Sequence, residues 1–381
     1  MRLLHTGDIH LDSAFCSYGA RDAEKHREDG RRLLRRIFDT AKEEGCQLIL
    51  IAGDLFDSKF VSPETAELFC GLVEECGIPV VISPGNHDPY SENSFYAKAA
   101  AALDDKLCVF TSPELQVFDI DGLRARVFGY AFTSGALTED PLATAQMPED
   151  NGYLKIFCGH GEIDNPVSRY APITSAELKE LGFAYSALGH IHNAREKEDD
   201  EGRIRYSGFA EGRAFDEIGI GGLWIVDVDT DKCDCTRKIL STKGFYERRV
   251  DVSPSDTHVD IEDKICAISE DIKDKGSYLR AELYGMADES EIRALKQALG
   301  ELRERAGLEY IEIIDETLPF VDGEYLERDT TIRGELYRVL RPRLMSGDAK
   351  ERATAVKALR IGLAAIDGKN IFGSSDREVL R

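Results

Sequence analysis

Residues 48–57 read Leu48-Ile49-Leu50-Ile51-Ala52-Gly53-Asp54-Leu55-Phe56-Asp57. An aliphatic run without a single charge stops at a glycine, and a carboxylate follows at once. A run of that length and composition, bounded by glycine, reads as a buried strand. The same arrangement recurs along the first half of the chain. Leu3-Leu4 precedes Asp8-Ile9-His10, and Ile78 to Ser83 precedes Gly85-Asn86-His87-Asp88. Ile156-Phe157-Cys158 runs into Gly159-His160-Gly161, and Ala184 to Leu188 into Gly189-His190-Ile191-His192. In open α/β sheets, sites form where strands end. Two Asp, one Asn and up to five His are therefore expected to converge at one sheet edge and to bind metal.

Helical patterns fill the gaps between these strands, which predicts an α/β layered fold. Residues 21–44 carry Leu33, Leu34, Ile37, Phe38 and Ala41 at helical spacing. Ser62-Pro63 opens a second helix that closes at Gly77. Asp121-Gly122 joins two alternating segments, Leu115 to Ile120 and Leu123 to Tyr130, as a hairpin. A second hairpin is expected from Ala194 to Lys197 with Ile204 to Ser207. Strands Gly222 to Val228 and Cys235 to Leu240 end the first domain, with a boundary at Ser241 to Gly244. Beyond it, strands and helices alternate in a small α+β module over 246–330. Leu318 to Asp329 reads as a second linker, and 331–381 as a pair of amphipathic helices.

The hydrophobic share, 42%, is that of an ordinary globular protein. No apolar run approaches the roughly 20 residues that span a bilayer, and the start of the chain has no signal-peptide pattern. Nine scattered cysteines suit reduced thiols and a cytoplasmic location. Cys233 and Cys235 are the one close pair and read as packing rather than a zinc site. The net charge of −23 argues against broad duplex binding by the chain alone. It is uneven: residues 246–330 hold 23 acidic and 11 basic side chains, and 331–381 hold 6 and 11.

Residues two apart at an extended strand end, such as Asp8 and His10 or His190 and His192, face the same way. Each pair is expected to reach one metal cluster. Carboxylate, amide oxygen and imidazole without thiolate favour Mn²⁺, Fe²⁺ or Zn²⁺. His5 reads as a satisfied sheet histidine, His26 and His258 as solvated. Asp57 reads as the end of the Gly53 to Asp57 loop. The arginines of the first helix (Arg21, Arg27, Arg31, Arg32, Arg35, Arg36) interleave with acids and read mostly as a charged outer face.

In this order the five blocks resemble the calcineurin-like metallophosphoesterases over residues 1–240. Asp8-Ile9-His10-Leu11-Asp12-Ser13, Gly53 to Asp57, Tyr206-Ser207-Gly208 with Phe215-Asp216-Glu217, and Leu359 to Ala365 are similar to the SbcD-type DNA repair exonucleases, in particular their YhaO-like branch. The resemblance implies a four-layer α/β/β/α sandwich over 1–242, a small α+β capping domain over 246–330 and C-terminal helices over 331–381. It implies that Asp8, His10 and His192 hold one metal and Asn86, His160 and His190 the other, with Asp54 bridging. Two divalent ions are implied, Mn²⁺ first, with Fe²⁺, Zn²⁺ or Mg²⁺ as alternatives. His87 is implied to steady the scissile phosphate and protonate the leaving oxygen. Asp88 either orients that ring or caps the turn before Pro89. Arg213 and Arg195 are candidate phosphate contacts. The implied activity is hydrolysis of DNA phosphodiester bonds by an exonuclease or endonuclease, with a coiled-coil ATPase of the SbcC type as partner, docked on the C-terminal helices, and a homodimer as a further expectation. A small phosphodiester, a nucleotide or another phosphoester is the alternative substrate. Two departures stand out: Asp57 where many relatives carry histidine, and no lysine in Gly219-Ile220-Gly221-Gly222.

Overall fold

In the computed structural model of the protein, residues 1–15, 20–143, 145–193, 202–319 and 323–368 are described. The chain divides into two compact units, Met1–Gly244 and Phe245–Arg381.

The first unit follows the order β1 (Arg2–Thr6), α1 (Ala20–Glu43), β2 (Leu48–Ile51), α2 (Pro63–Cys76), β3 (Val80–Ile82), α3 (Phe95–Leu103), β4 (Leu107–Val109), β5 (Gln116–Ile120), β6 (Ala125–Gly129), β7 (Leu154–His160), α4 (Ser175–Glu180), β8 (Tyr185–Gly189), β9 (Ile204–Tyr206), β10 (Gly219–Val228) and β11 (Cys233–Val252). Within this unit one sheet runs β11-β10-β1-β2-β3-β4, the other β5-β6-β7-β8-β9, and β11 continues past Gly244. In the first, β1 to β4 are parallel and β10 is antiparallel to β1. In the second, only the β5–β6 hairpin is antiparallel.

Three cores order the layers. Leu3, Leu48, Leu50 and Val81 of one sheet meet Val127, Ile156, Cys158 and Ala187 of the other. The opposite face of the first sheet, Leu4, Ile49, Ile51 and Ile82, meets Leu33, Leu34, Ile37 and Phe38 of α1 and Phe69 of α2. The outer face of the second sheet, Phe128, Phe157 and Leu188, meets Leu178 of α4. The unit is thus the expected α/β/β/α sandwich. Every residue of β2 is buried because both its faces are covered, and burying each such aliphatic side chain contributes roughly 1.5–3 kcal/mol.

The second expected hairpin lies partly outside the described residues, since 194–201 are among those not described. Its other half, β9, pairs in parallel with β8. The chain divides after Gly244, and β11 stays extended through Ser241 to Gly244. The reason is Glu211, whose carboxylate accepts hydrogen bonds from the Thr242 amide at 2.9 Å and hydroxyl at 3.0 Å, with Lys243 Nζ 3.5 Å away.

The second unit contains α5 (His258–Ser269), β12 (Ser277–Ala287), α6 (Glu289–Gln297), α7 (Leu299–Arg305), β13 (Tyr310–Asp315), β14 (Leu318–Pro319), α8 (Gly323–Arg328), α9 (Ile332–Leu344) and α10 (Ala349–Ile366). β12 pairs in parallel with β13. Ile261 and Ile265 of α5 pack with Leu279, Leu283 and Leu295. The supposed linker after Leu318 carries β14 and α8 instead, because Leu326 packs into a core with Tyr337, Leu340, Leu359 and Leu363. Among the described residues no helix is long and apolar enough to cross a membrane, and the eight described cysteines are free thiols.

Candidate metal centre

The ligand blocks leave β1, β2, β3, β7 and β8 at their C-terminal ends. Hydrogen bonds between blocks then hold them together. The amides of Asp8 and His10 donate to the carbonyls of Gly53 and Asp54 at 3.0 and 2.9 Å. The amide of His190 donates to Asp8 Oδ1 at 3.0 Å, and that of His87 to Asp54 Oδ1 at 2.9 Å.

Asp8 and His10 do not point together because the strand is extended. β1 ends at Thr6, and both residues sit in the left-handed region, with φ of 50° and 49°. Asp54 at 48° and His190 at 100° share this region. Non-glycine residues adopt it at a cost, and such strain gathers at functional sites. Two glycines make the approach possible. A Cβ on Gly53, itself at φ 84°, would collide with the His160 ring, and one on Gly189 with the Ala52 carbonyl.

The side chains converge as ligand sets. Asp8, His10 and His192 offer donor atoms within 4.8 Å of one another, as do Asp8, Asp54 and His160. The His10 and His192 Nε2 atoms stand 3.3 Å apart. Asp54 Oδ2 lies 3.7 Å from His10 Nε2 and 3.4 Å from His160 Nε2, between the two groups. Asn86 Oδ1 is 3.0 Å from His160 Nε2. The His190 ring lies against His160 at 5.1 Å and Tyr170 at 4.5 Å between centroids.

The donor set fits divalent cations. Asp8 and Asp54 are 1% and 2% exposed, and buried carboxylates demand positive partners. Burial opposes the Asp54 charge, but His160 and His10 outweigh it and hold this carboxyl below its usual range. Burial likewise opposes a charge on His160, yet Asp54 and Asp8 raise it to about 9. The same negative field suits a bound cation. His190 goes the other way, to about 4, through burial and the charge of His160.

Outer groups fix the imidazoles. His160 Nδ1 lies 2.9 Å from the Ala52 carbonyl, His10 Nδ1 3.0 Å from Asp57 Oδ1 and His192 Nδ1 2.8 Å from Glu217 Oε1. Ser207 Oγ donates to Asp8 Oδ2 at 2.9 Å. His87 is more open, its side chain 46% exposed, with Nδ1 3.5 Å from Asp57 Oδ1. Hydrogen bonding to Asp57 raises its pKa against burial.

All seven expected ligands and His87 thus come to one pocket. Asp88 lies beneath it: its carboxylate accepts from the Gly85 and Phe56 amides at 2.8 and 3.0 Å and from the Tyr96 hydroxyl at 2.5 Å. The carboxylate beside the His87 ring is that of Asp57. Arg213 is turned inward onto Glu217 and Asp57, and Arg195 lies outside the described residues. Arg27, Arg31 and Arg32 pair with Glu24 and Asp29, as an outer face would. His26, expected in solvent, is buried, stacked on Phe15 at 5.0 Å and 3.2 Å from Lys243 Nζ. Asp57 and Glu217 were the residues that pattern reading missed as functional. Their signal was their place within the quoted Gly53 to Asp57 and Phe215 to Glu217 segments.

Comparison with known proteins agrees with this geometry. The profile of the calcineurin-like phosphoesterases matches residues 1–194. The uncharacterized metallophosphoesterase YhaO of Bacillus subtilis (strain 168) is 28% identical over 320 residues, 80% of this chain and 76% of that protein. The DNA double-strand break repair protein Mre11 of Aeropyrum pernix is 27% identical over 268 residues, 66% of this chain and 64% of that protein. The chain therefore spans a little under two thirds of that second relative. A solved dimetal phosphatase from Danio rerio aligns at 11% identity and a TM-score of 0.39, over 62% of this chain and 95% of that chain, too low a score to carry an assignment.

Proposed function

This chain belongs to the calcineurin-like phosphoesterases, and as a metal-dependent hydrolase of that family, we propose, it cleaves phosphodiester bonds in DNA. The observation that carries the reading is the meeting of Asp8, His10, Asp54, His160 and His192 in one buried cluster with His87 at its open side. The choice of DNA is supported by the likeness to the Mre11 repair protein.

Asp8, His10 and His192 would hold one divalent ion and Asn86, His160 and His190 the other, shared through Asp54. Such a pair, Mn²⁺ in our reading, supplies an activated water and polarises the phosphoryl oxygens. The protein does the rest. Asp57 holds Nδ1 of His87 and favours its protonated form. The ring can then steady the phosphate and deliver a proton to the leaving oxygen. Tyr170 against His190 and Phe132 against His160, 5.6 Å between centroids, shield the inner ligands from water.

The test compares labelled duplex, single-stranded DNA and cyclic nucleotides with the Mn²⁺-loaded protein. Turnover of DNA at least about tenfold above that of cyclic nucleotides supports the reading. The reverse order favours a small phosphoester, which the net charge of −23 would also suit. We extend the proposal to a coiled-coil ATPase partner docking on the C-terminal helices, where Ile332, Val339 and Met345 are exposed. Val339→Glu should then reduce ATPase capture, and undiminished capture removes α9 from the interface. Sedimentation of the free chain reads the expected dimer.

A further inference from the structure

Arg213 follows β9 in sequence and reaches none of the ligands directly, yet it touches what stands behind two of them. Its Nη2 and Nε lie 2.6 and 3.1 Å from Glu217 Oε1, the oxygen that is 2.8 Å from His192 Nδ1. Its Nη1 lies 3.6 Å from Asp57 Oδ1, the oxygen that is 3.0 Å from His10 Nδ1. The same Nη1 donates to Ser13 Oγ at 3.4 Å, and that hydroxyl donates to the His10 carbonyl at 2.8 Å. The Arg213 amide completes the tie by donating to Glu217 Oε2 at 2.7 Å. One planar fork therefore joins both outer carboxylates of a single ligand set, Asp8, His10 and His192.

Among the described residues the other set is backed differently: the His190 ring packs on Tyr170 and feels the charge of Glu162. His160 Nδ1 rests on a backbone carbonyl, and its neighbour Asn86 is neutral. Either partner behind an imidazole fixes its ring and raises its basicity, and a charged carboxylate does so more strongly than a neutral carbonyl. The two halves of the centre are thus built differently.

We propose that Arg213 is a positioning residue for one metal of the pair: it locks Asp57 and Glu217 so that His10 and His192 are presented together, and that half holds its ion selectively through this lock. This rests on the two-metal reading above and not on the identity of the substrate. The geometry makes a prediction about sign. Arg213 is itself a cation near a cation site, so charge alone predicts tighter metal binding once it is removed. Positioning predicts weaker binding.

The test uses the full-length protein stripped of metal, titrated with Mn²⁺ by calorimetry and followed by electron paramagnetic resonance. The wild type should take up two ions that become spin-coupled. In Arg213→Met one binding event should weaken by roughly 10- to 100-fold, the scale for loss of an outer-shell partner, and the other should stay within about twofold. At two equivalents the signal of an isolated Mn²⁺ ion should then appear. Arg213→Lys keeps the charge but not the planar fork, and should fall between the two. Unchanged or tighter binding in Arg213→Met, equal weakening of both events, or a lysine variant that matches wild type would each overturn the proposal. Should Arg213→Met fail to fold, Glu217→Gln must weaken the same single event, and two unaltered events there overturn it too. A wild type that binds no coupled pair removes the two-metal reading itself, whereas DNA turnover by a variant with both events intact removes only the role of Arg213.

Discussion

Nδ1 of His10 and Oδ1 of Asp57 stand 3.0 Å apart, and the same carboxylate oxygen is 3.5 Å from Nδ1 of His87. Asp57 thereby serves a proposed metal ligand and the proposed proton donor at once. Burial opposes its charge, but His10 and His87 outweigh that and keep it ionised well below the ordinary carboxyl range. Asp57→Ala should lower Mn²⁺ affinity and turnover together, each by roughly 10- to 100-fold. If both stay at wild-type values, Asp57 merely finishes its loop.

His87 tests the chemistry without emptying the centre. His87→Ala should keep its full metal content and lose roughly 10²- to 10⁴-fold in kcat on an ordinary phosphodiester. The loss should shrink on a nitrophenyl ester, whose leaving group needs no proton. An equal loss on both substrates would leave phosphate stabilisation, not proton delivery, as its role.

Asp88 should behave as a scaffold. Its three hydrogen bonds tie the loop after β3 to Phe56 and Tyr96, and burial with Asp54 nearby raises its pKa. Asp88→Asn turns an acceptor into a donor against these N–H and O–H groups. Each buried group left unmatched costs roughly 1–3 kcal/mol. The melting temperature should drop, with kcat per folded molecule held within about twofold. A large fall in kcat at an unchanged melting temperature would make Asp88 part of the chemistry.

His5 should make the first unit acid-sensitive. It is fully buried between Tyr185 Oη at 2.8 Å and the Leu188 carbonyl at 3.2 Å, and burial lowers its pKa to about 3. Between pH 3 and 6.5 the unfolded chain binds a proton here that the folded chain refuses. Stability therefore falls as pH drops below the unfolded value. At pH 5, about 1.5 units below it, the loss is roughly 2 kcal/mol. Denaturant titrations at pH 7 and 5 should show a smaller difference for His5→Gln than for wild type. An identical difference would mean that His5 takes up its proton in the folded state.

Strand content and the ligand inventory were legible because burial on both faces leaves an uncharged run and a metal leaves Asp, Asn and His where that run stops. The convergence of Asp8 with His10 was foreseen for the wrong reason, since alternation along a strand does not apply to left-handed residues. Asp57 and Glu217 escaped as functional groups, and Arg213 reads from sequence as a phosphate contact rather than a partner of Asp57, because these contacts span 47, 25 and 156 residues of sequence, which periodicity does not encode. His26 and the linker after Leu318 were misplaced for a related reason. A polar residue or a mixed segment looks solvated until a stacking ring, or an apolar partner such as Leu326, covers it.

The left-handed backbone at Asp8, His10, Asp54 and His190 has a mechanical side. Each costs on the order of 1 kcal/mol, and a cation that binds only the folded pocket offsets that cost by mass action. A chelator should therefore loosen this rim before it threatens the sheets. Hydrogen exchange should quicken at Ile9 and His10 on metal removal while Leu50, deep in β2, keeps its protection. The ions would then act as fasteners of the molecule as well as reagents, and storage in EDTA would shorten its working life.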